Sequence, residues 1–284
     1  MNAIKTLVLG GGGLAGLGWL AGLLLGLKES GIDLRDADQV IGTSAGAATA
    51  AQLRSAQSIE MLYARQTEPA LIADEAPPSM RQLAELMNVF PKLMAITDSG
   101  ERMRAIGWVA KRTKSVAPQV RRAMIEKRLT DHSWPVAALT ITAVDAESGA
   151  LVTFDSNSGL ELVDAVAASC AAPGVWPVVE IDGRSFIDGG VFSSDNAQLA
   201  SGSQCVLIVS PMGNVATFPQ GFRLSDQVAA LAGTGAKVLA IEPNSEARTA
   251  MGTNPFDPGT RIPSAWAGRT QGKAVAQEVA DFWT

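Results

Sequence analysis

From Thr6 to Leu27 the chain carries no charged residue, a stretch long enough to cross a bilayer if it were helical throughout at about 1.5 Å per residue. Gly10 to Gly13 stand consecutively inside it, and Gly16, Gly18, Gly22 and Gly26 follow. Four adjacent glycines interrupt a helix far more readily than they extend one. The run therefore divides into a strand at Thr6–Leu9, a tight glycine loop, and a buried helix from Leu14 to Lys28 that is apolar on nearly every side and ends at Gly31. That division argues against a membrane span. Leu27-Lys28-Glu29-Ser30 also lacks the small-x-small pattern that closes a signal peptide.

A second strand and helix follow at once: Gln39-Val40-Ile41, then the Ala-rich stretch Ala45 to Leu53. Strand-helix-strand-helix implies parallel pairing and an α/β fold. Between about 68 and 133 the texture changes to Met-rich helices with Pro69, Pro77, Pro78, Pro91 and Pro118 as breaks, which reads as a helical insertion or cap. Strands return at Ala138–Asp145 and Ala150–Phe154, joined as a hairpin through Ser148-Gly149, and a helix spans Leu160 to Cys170. A second hairpin runs Val178–Ile181 and Arg184–Ile187 around the turn pair Asp182-Gly183. Cys205–Val209, uninterruptedly apolar, is a buried central strand, and Thr270 to Trp283 an amphipathic helix. The expectation is a single domain over 1–284. With 47% hydrophobic and 18% charged residues the chain is globular, and a net charge of −5 excludes a general nucleic-acid binder. Cys170 and Cys205 form neither a CxxC pair nor a cluster with histidines, so no disulfide framework or thiolate zinc site is expected, and a reducing, cytoplasmic compartment fits.

Gly42-Thr43-Ser44-Ala45-Gly46 places a GxSxG sequence between strand and helix. A sharp turn there projects the serine hydroxyl outward, and the helix N-terminus favours developing negative charge. The plainer reading is a serine N-cap of the Ala-rich helix. The amides of Gly11, Gly12 and Gly13, at the start of the Leu14 helix, can converge on an anion, and two parallel strands bring both loops to one sheet edge. Gly11-x-Gly13-x-x-Gly16 also satisfies the dinucleotide fingerprint, but the next strand should then end in an acid; it runs instead into Gly42-Thr43-Ser44, with Asp33, Asp36 and Asp38 preceding it. The single histidine, His132, lies in a polar, proline-terminated connection that suits the surface. A carboxylate in direct contact with the serine is the other route to activation. Asp188, closing a strand behind Phe186-Ile187 and followed by two glycines, is the best candidate, with an ordinary Asp-Gly turn as the alternative.

Taken together, Gly11-Gly12-Gly13-x-x-Gly16, Gly42-Thr43-Ser44-Ala45-Gly46, Ala168-Ser169-x-Ala171-x-Pro173 and Asp188-Gly189-Gly190 resemble, in order and spacing, the motifs of the patatin-like lipid acyl hydrolases. The resemblance covers most of the chain. It implies a three-layer fold with a central, mostly parallel sheet flanked by helices, a Ser-Asp dyad of Ser44 and Asp188, an oxyanion hole from the Gly11 to Gly13 amides, no cofactor or metal, and lipid carboxylic esters as substrates. One departure stands out: the family commonly carries Arg or Lys just before the last glycine of the first motif, where this chain has Ala15. Two rivals of other classes remain, a dinucleotide-dependent oxidoreductase and a catalytically silent lipid-binding protein.

The insertion carries its own signal. Residues 102–128 hold nine basic side chains against one acid, Glu126, so a net −5 chain is strongly polarised. Such a region offers peripheral contact with an anionic membrane surface; a solvated helical face is the plainer reading. Met80, Leu83, Met87, Phe90, Leu93, Met94 and Ile96 supply adaptable apolar surface for acyl chains, with ordinary core packing as the alternative. If both stretches face the crevice they form a lid.

Overall fold

The computed structural model describes residues 4–73, 78–214 and 223–283. Pro77 and the side chains of Leu83 and Met87 lie outside the described residues. The first strand, β1 (Lys5–Leu9), leads through the glycine loop into α1 (Gly13–Glu29). Then come β2 (Gln39–Gly42), α2 (Ala45–Leu53) and α3 (Ile59–Thr67), followed by three helices, α4 (Met80–Met94), α5 (Ser99–Arg112) and α6 (Pro118–Arg128). The hairpin β3 (Ala138–Asp145) and β4 (Leu151–Phe154) precedes α7 (Leu162–Ser169) and a second hairpin, β5 (Val179–Ile181) and β6 (Arg184–Asp188). The chain closes with β7 (Cys205–Val209), α8 (Leu224–Gly233), β8 (Lys237–Ile241), α9 (Ser245–Met251), α10 (Arg261–Ala274) and α11 (Ala276–Trp283).

The eight strands form one mixed, mostly parallel sheet in the order β5-β6-β3-β2-β1-β7-β8, with β4 paired to β3. Period-two alternation buries both faces. Leu7, Leu9, Leu207 and Val209 pack under α1, α2 and α7, while Val8, Ile41, Val206 and Ile208 pack against Leu224 and Leu231 of α8 on the other side. The register around β3 positions the site. Ile141 pairs with Phe154 of β4 and with Gly42 of β2, while Ala143 pairs with Val152 of β4 and with Asp188 of β6. A strand residue has one ladder neighbour on each side, so β2 and β6 share the edge of β3 opposite β4. They approach from opposite ends and stop two β3 residues apart, about 7 Å at the usual rise.

The helix α1, uncharged up to Lys28 and Glu29 in its last turn, is held by α10 through a seam of glycines. A Cβ added at Gly18, Gly22 or Gly26 would sit 2.1–2.3 Å from the carbonyl oxygens of Arg261, Ala265 and Arg269, and one at Gly268 or Gly272 would meet those of Trp19 and Leu23 at 2.3 and 2.4 Å. Backbones this close admit no side chain at these positions. Trp19 Nε1, buried beside the seam, donates to Gln271 Oε1 at 3.0 Å. Among the described residues no helix is long and apolar enough to cross a membrane.

Two expectations change. Pro91 does not break its helix: it sits in the last turn of α4, where its missing N–H removes a single bond and Ala95 still donates to the Pro91 carbonyl at 3.1 Å. The C-terminal helix expected over 270–283 is two helices parted at Val275, because α10 turns its glycine face to α1 while α11 buries Ala276, Val279 and Trp283.

Candidate active site

Ser44 stands between β2 and α2 with φ 53° and ψ −115°, a conformation that costs a non-glycine residue energy and persists only where its surroundings impose it. The surroundings are explicit. A Cβ at Gly46 would lie 1.9 Å from the Leu9 carbonyl oxygen, and one at Gly42 would lie 2.6 Å from Ala47 Cα, so the turn needs both glycines. The Ser44 amide donates to Ser169 Oγ at 2.8 Å, and the Cys170 thiol lies 3.2 Å from the Ser44 carbonyl oxygen. Ser169 is fully buried at the end of α7, so the Ala168-to-Pro173 motif grips the backbone of the serine turn. Below it, Thr43 Oγ1 and Thr142 Oγ1 lie 2.9 Å apart, and Asn196 Nδ2 donates to Thr43 Oγ1 and the Gly189 carbonyl at 3.1 Å each.

Asp188 ends β6 head-on to this turn. Ser44 Oγ donates to Asp188 Oδ2 at 2.7 Å, and the Gly190 amide donates to Oδ1 at 2.7 Å. Asp188 is 6% exposed. Burial pushes its carboxyl up to about 6, against the opposing pull of the Ser44 hydroxyl, the Gly190 amide and the Arg121 charge. A second buried acid, Asp195, is likewise pushed up to about 6 by burial and lies under the glycine loop, where a Cβ at Gly10 would fall 2.2 Å from its Oδ1.

The glycine loop faces the same crevice, with one correction to the expected donors. The Gly11 amide donates to the Ser194 carbonyl at 2.8 Å and is not available to a ligand. Leu14 and Ala15 both donate to the Pro255 carbonyl, at 2.7 and 3.2 Å. Among the described residues the amides of Gly12 and Gly13 meet no such acceptor, and both glycines line the crevice beside Ser44. Gly13 has φ +62°, and a Cβ there would sit 2.5 Å from the Pro255 oxygen.

From Ser44 and Asp188 opens a cavity of about 530 Å³, within the usual range for a small-molecule site. Its walls are largely apolar: Leu86, Phe90, Leu93 and Met94 from α4, Met103, Ile106 and Val109 from α5, and Phe192, Met212 and Phe256 opposite. The Met-rich stretch divides between the expected roles. Leu93 is buried in a cluster with Ile106 and Ile187, Phe90 is 42% exposed, and Met80 points into solvent. The basic run 102–128 is not one exposed patch. Arg102, Arg121 and Arg128 are buried, Lys111 pairs with Glu147 at 2.5 Å, and Arg122 pairs with Asp164 at 2.6 Å and with Glu161. Arg121 and Arg128 instead face Ser44, a placement without a sequence signal beyond their spacing on α6.

His132 lies elsewhere: half-exposed, its Nε2 is 3.0 Å from the Glu126 carbonyl, and it does not line the crevice. Nor does β2 end in an acid, since Gly42 leads straight into Thr43 and Ser44.

Residues 7–201 match the model of the patatin-like phospholipases, and the chain belongs to that family of lipid acyl hydrolases. Among solved structures, VipD from Legionella pneumophila has the same fold, with a TM-score of 0.50 at 14% identity over 98% of this chain and 67% of VipD. Full-length ExoU from Pseudomonas aeruginosa, crystallised with SpcU, gives a TM-score of 0.46 at 17% identity over 98% of this chain and 52% of ExoU, so this chain spans about half of that protein. No curated protein sequence matches it.

Proposed function

We propose that the protein hydrolyses carboxylic esters of lipids through Ser44 and Asp188. The observation that carries this reading is the direct hydrogen bond of 2.7 Å between the Ser44 hydroxyl and the Asp188 carboxylate, at the mouth of an apolar cavity. Ser44 Oγ attacks the ester carbonyl as its proton passes to Asp188. The Gly12 and Gly13 amides receive the oxyanion. The tetrahedral intermediate collapses, the alcohol leaves with the proton from Asp188, and the acyl group stays on Ser44. Water then gives a proton to Asp188 and attacks the acyl-enzyme, and the proton returns to Ser44 as the fatty acid departs. A strained elbow supports this because it holds the hydroxyl in place before substrate arrives. The 530 Å³ cavity takes the acyl chain.

Helices α4 to α6, within the insertion over about 68–133, act as a cap on a single α/β domain. The exposed end of α5, where Trp108 is 57% exposed and the Arg112 guanidinium lies 3.8 Å from its ring, with Arg104 and Lys114 nearby in sequence, suits an anionic membrane surface. Sedimentation with vesicles containing phosphatidylglycerol, for wild type and Trp108→Ala, tests that contact; equal binding to neutral vesicles removes it.

Fluorophosphonate treatment followed by peptide mass spectrometry tests the catalytic reading. An adduct on Ser44 that weakens in Asp188→Asn is expected. A folded wild type that is neither labelled nor active on any acyl lipid would leave a silent lipid-binding protein as the better description.

A further inference from the structure

Asp195 is a buried acid that the chemistry of Ser44 and Asp188 leaves unused. It lies between β6 and β7, is 0% exposed, and touches the segments that follow three strands. A Cβ at Gly10, after β1, would fall 2.2 Å from its Oδ1, so the carboxyl is packed directly under the glycine loop. Thr43, after β2, donates through Oγ1 to the Asp195 carbonyl at 3.4 Å. Ser210 follows β7, and its hydroxyl bonds the carboxyl together with that of Ser194, which donates to Oδ2 at 2.8 Å. The carbonyl of Ser194 itself takes the Gly11 amide at 2.8 Å. One dipeptide thus holds the glycine loop and the serine turn from below.

Among the described residues Asp195 Oδ1 has no hydrogen-bond partner. Ionisation would leave a buried charge on that oxygen uncompensated, whereas the neutral acid has no charge to compensate. Burial accordingly pushes the carboxyl up to about 6, against the pull of the Ser210 and Ser194 hydroxyls, and the Glu242 charge adds to the rise. Glu242, after β8, is itself held by Arg248 at 3.0 Å. Gly10 to Ala15, Thr43 and Ser210 to Met212 carry no charged side chain, and α8 reaches the segment with the neutral Gln227. No cation on those segments offsets Asp195. Asp188 is the other acid at this end of the sheet, so the pH dependence of the site is that of two carboxyls.

We propose that Asp195 is a positioning residue of the oxyanion loop: neutral, it braces the loop from below, and ionised, it sets a negative charge beneath the amides that receive the oxyanion. The assignment rests on Ser44 as the nucleophile and on the Gly12 and Gly13 amides as donors. Asp188 must lose its proton to accept that of Ser44, so activity rises with pH through its titration. Asp195 must keep its proton, so activity falls as it ionises. A bell-shaped profile results, with one acid on each limb.

The test measures kcat and KM from about pH 4.5 to about pH 8.5 on a monomeric short-chain 4-nitrophenyl ester, whose leaving group needs no proton from Asp188. Asp195→Asn keeps the size of the side chain and removes its charge. Wild type is expected to follow the bell, while the variant rises to a plateau and at pH 8 is about ten- to thirtyfold faster than wild type, through kcat with KM unchanged. A variant slower than wild type by one factor at every pH has lost a purely structural residue, which overturns the proposal, as does an unchanged profile. Should the variant fail to melt cooperatively, the wild-type profile decides: a fall above pH 6 is expected, and a rate that stays level to pH 8.5 overturns the role of Asp195. Fluorophosphonate labelling separates the two levels. A wild type that neither labels at Ser44 nor hydrolyses the ester defeats the nucleophile assignment and this one with it; a labelled, active enzyme without an alkaline limb defeats Asp195 alone.

Discussion

Replacing Asp188 by asparagine is expected to abolish turnover and yet stabilise the protein above pH 6. The carboxyl is pushed from 3.8 up to about 6 because its ionised form is buried. Between these values the folded state holds the proton more tightly than the unfolded chain does. Stability from this group is therefore complete below about pH 4 and is lost as pH rises through about 6. At 1.36 kcal/mol per pK unit the full loss is about 3 kcal/mol. Asparagine is nearly isosteric and carries no charge, so it escapes that loss. Its Oδ1 still accepts from the Gly190 amide, but the charge-assisted bond from Ser44 is weakened, which leaves a net gain of roughly 1–3 kcal/mol at pH 8. Urea denaturation of both proteins at pH 4 and pH 8 measures this. The variant is expected to gain on the wild type between the two pH values by that amount, while its kcat/KM falls about a hundredfold or more. A stability difference that does not change with pH would show that Asp188 is not held as a costly buried base.

Three further outcomes follow from the geometry. Ser169→Ala leaves the Ser44 amide without its partner at 2.8 Å; a loss of about 1–3 kcal/mol is expected in denaturant titration, with kcat falling more than KM rises as the serine turn loosens. Gly22→Val forces a side chain into a space where a Cβ would already be 2.1 Å from the Ala265 carbonyl oxygen, and should cost more than about 3 kcal/mol or prevent folding, read by circular dichroism melting. His132→Ala removes a half-exposed ring outside the crevice and should change both activity and stability by no more than about 0.5 kcal/mol, so a large loss of turnover would restore a histidine-based mechanism.

Strands with strong period-two or unbroken apolar character were legible from the chain: β1, β2, β3, β6 and β7 fall within a residue of where alternation and turn pairs put them. The Asp182-Gly183 turn was equally plain, since both residues adopt positive φ, the form a two-residue hairpin requires. Ser44 and Asp188 were paired from their motifs, but the strand arrangement that brings them together was not legible. Their meeting depends on β3 being twice as long as β2, which leaves room for β6 on the same side, and strand length against a partner is a property of the assembled sheet. Gly11 shows the converse limit. A glycine in an anion-binding pattern cannot reveal that its amide is spent on Ser194, a residue far along the chain. Arg121 and Arg128 read as members of a surface basic run because their burial against Trp176 and Ser44 comes from the packing of α6, not from local composition.

The glycine seam has a consequence for biosynthesis. α1 leaves the ribosome well before α10, and the helix that fills its groove is made only when α10 follows, beyond the residues that match the family model. During that interval a long apolar helix lacks its cover, with a flat track of backbone along one side that any other small-residue helix can occupy. Newly made chains are therefore expected to depend on chaperones until α10 is synthesised, and to aggregate when translation stops between β7 and α10.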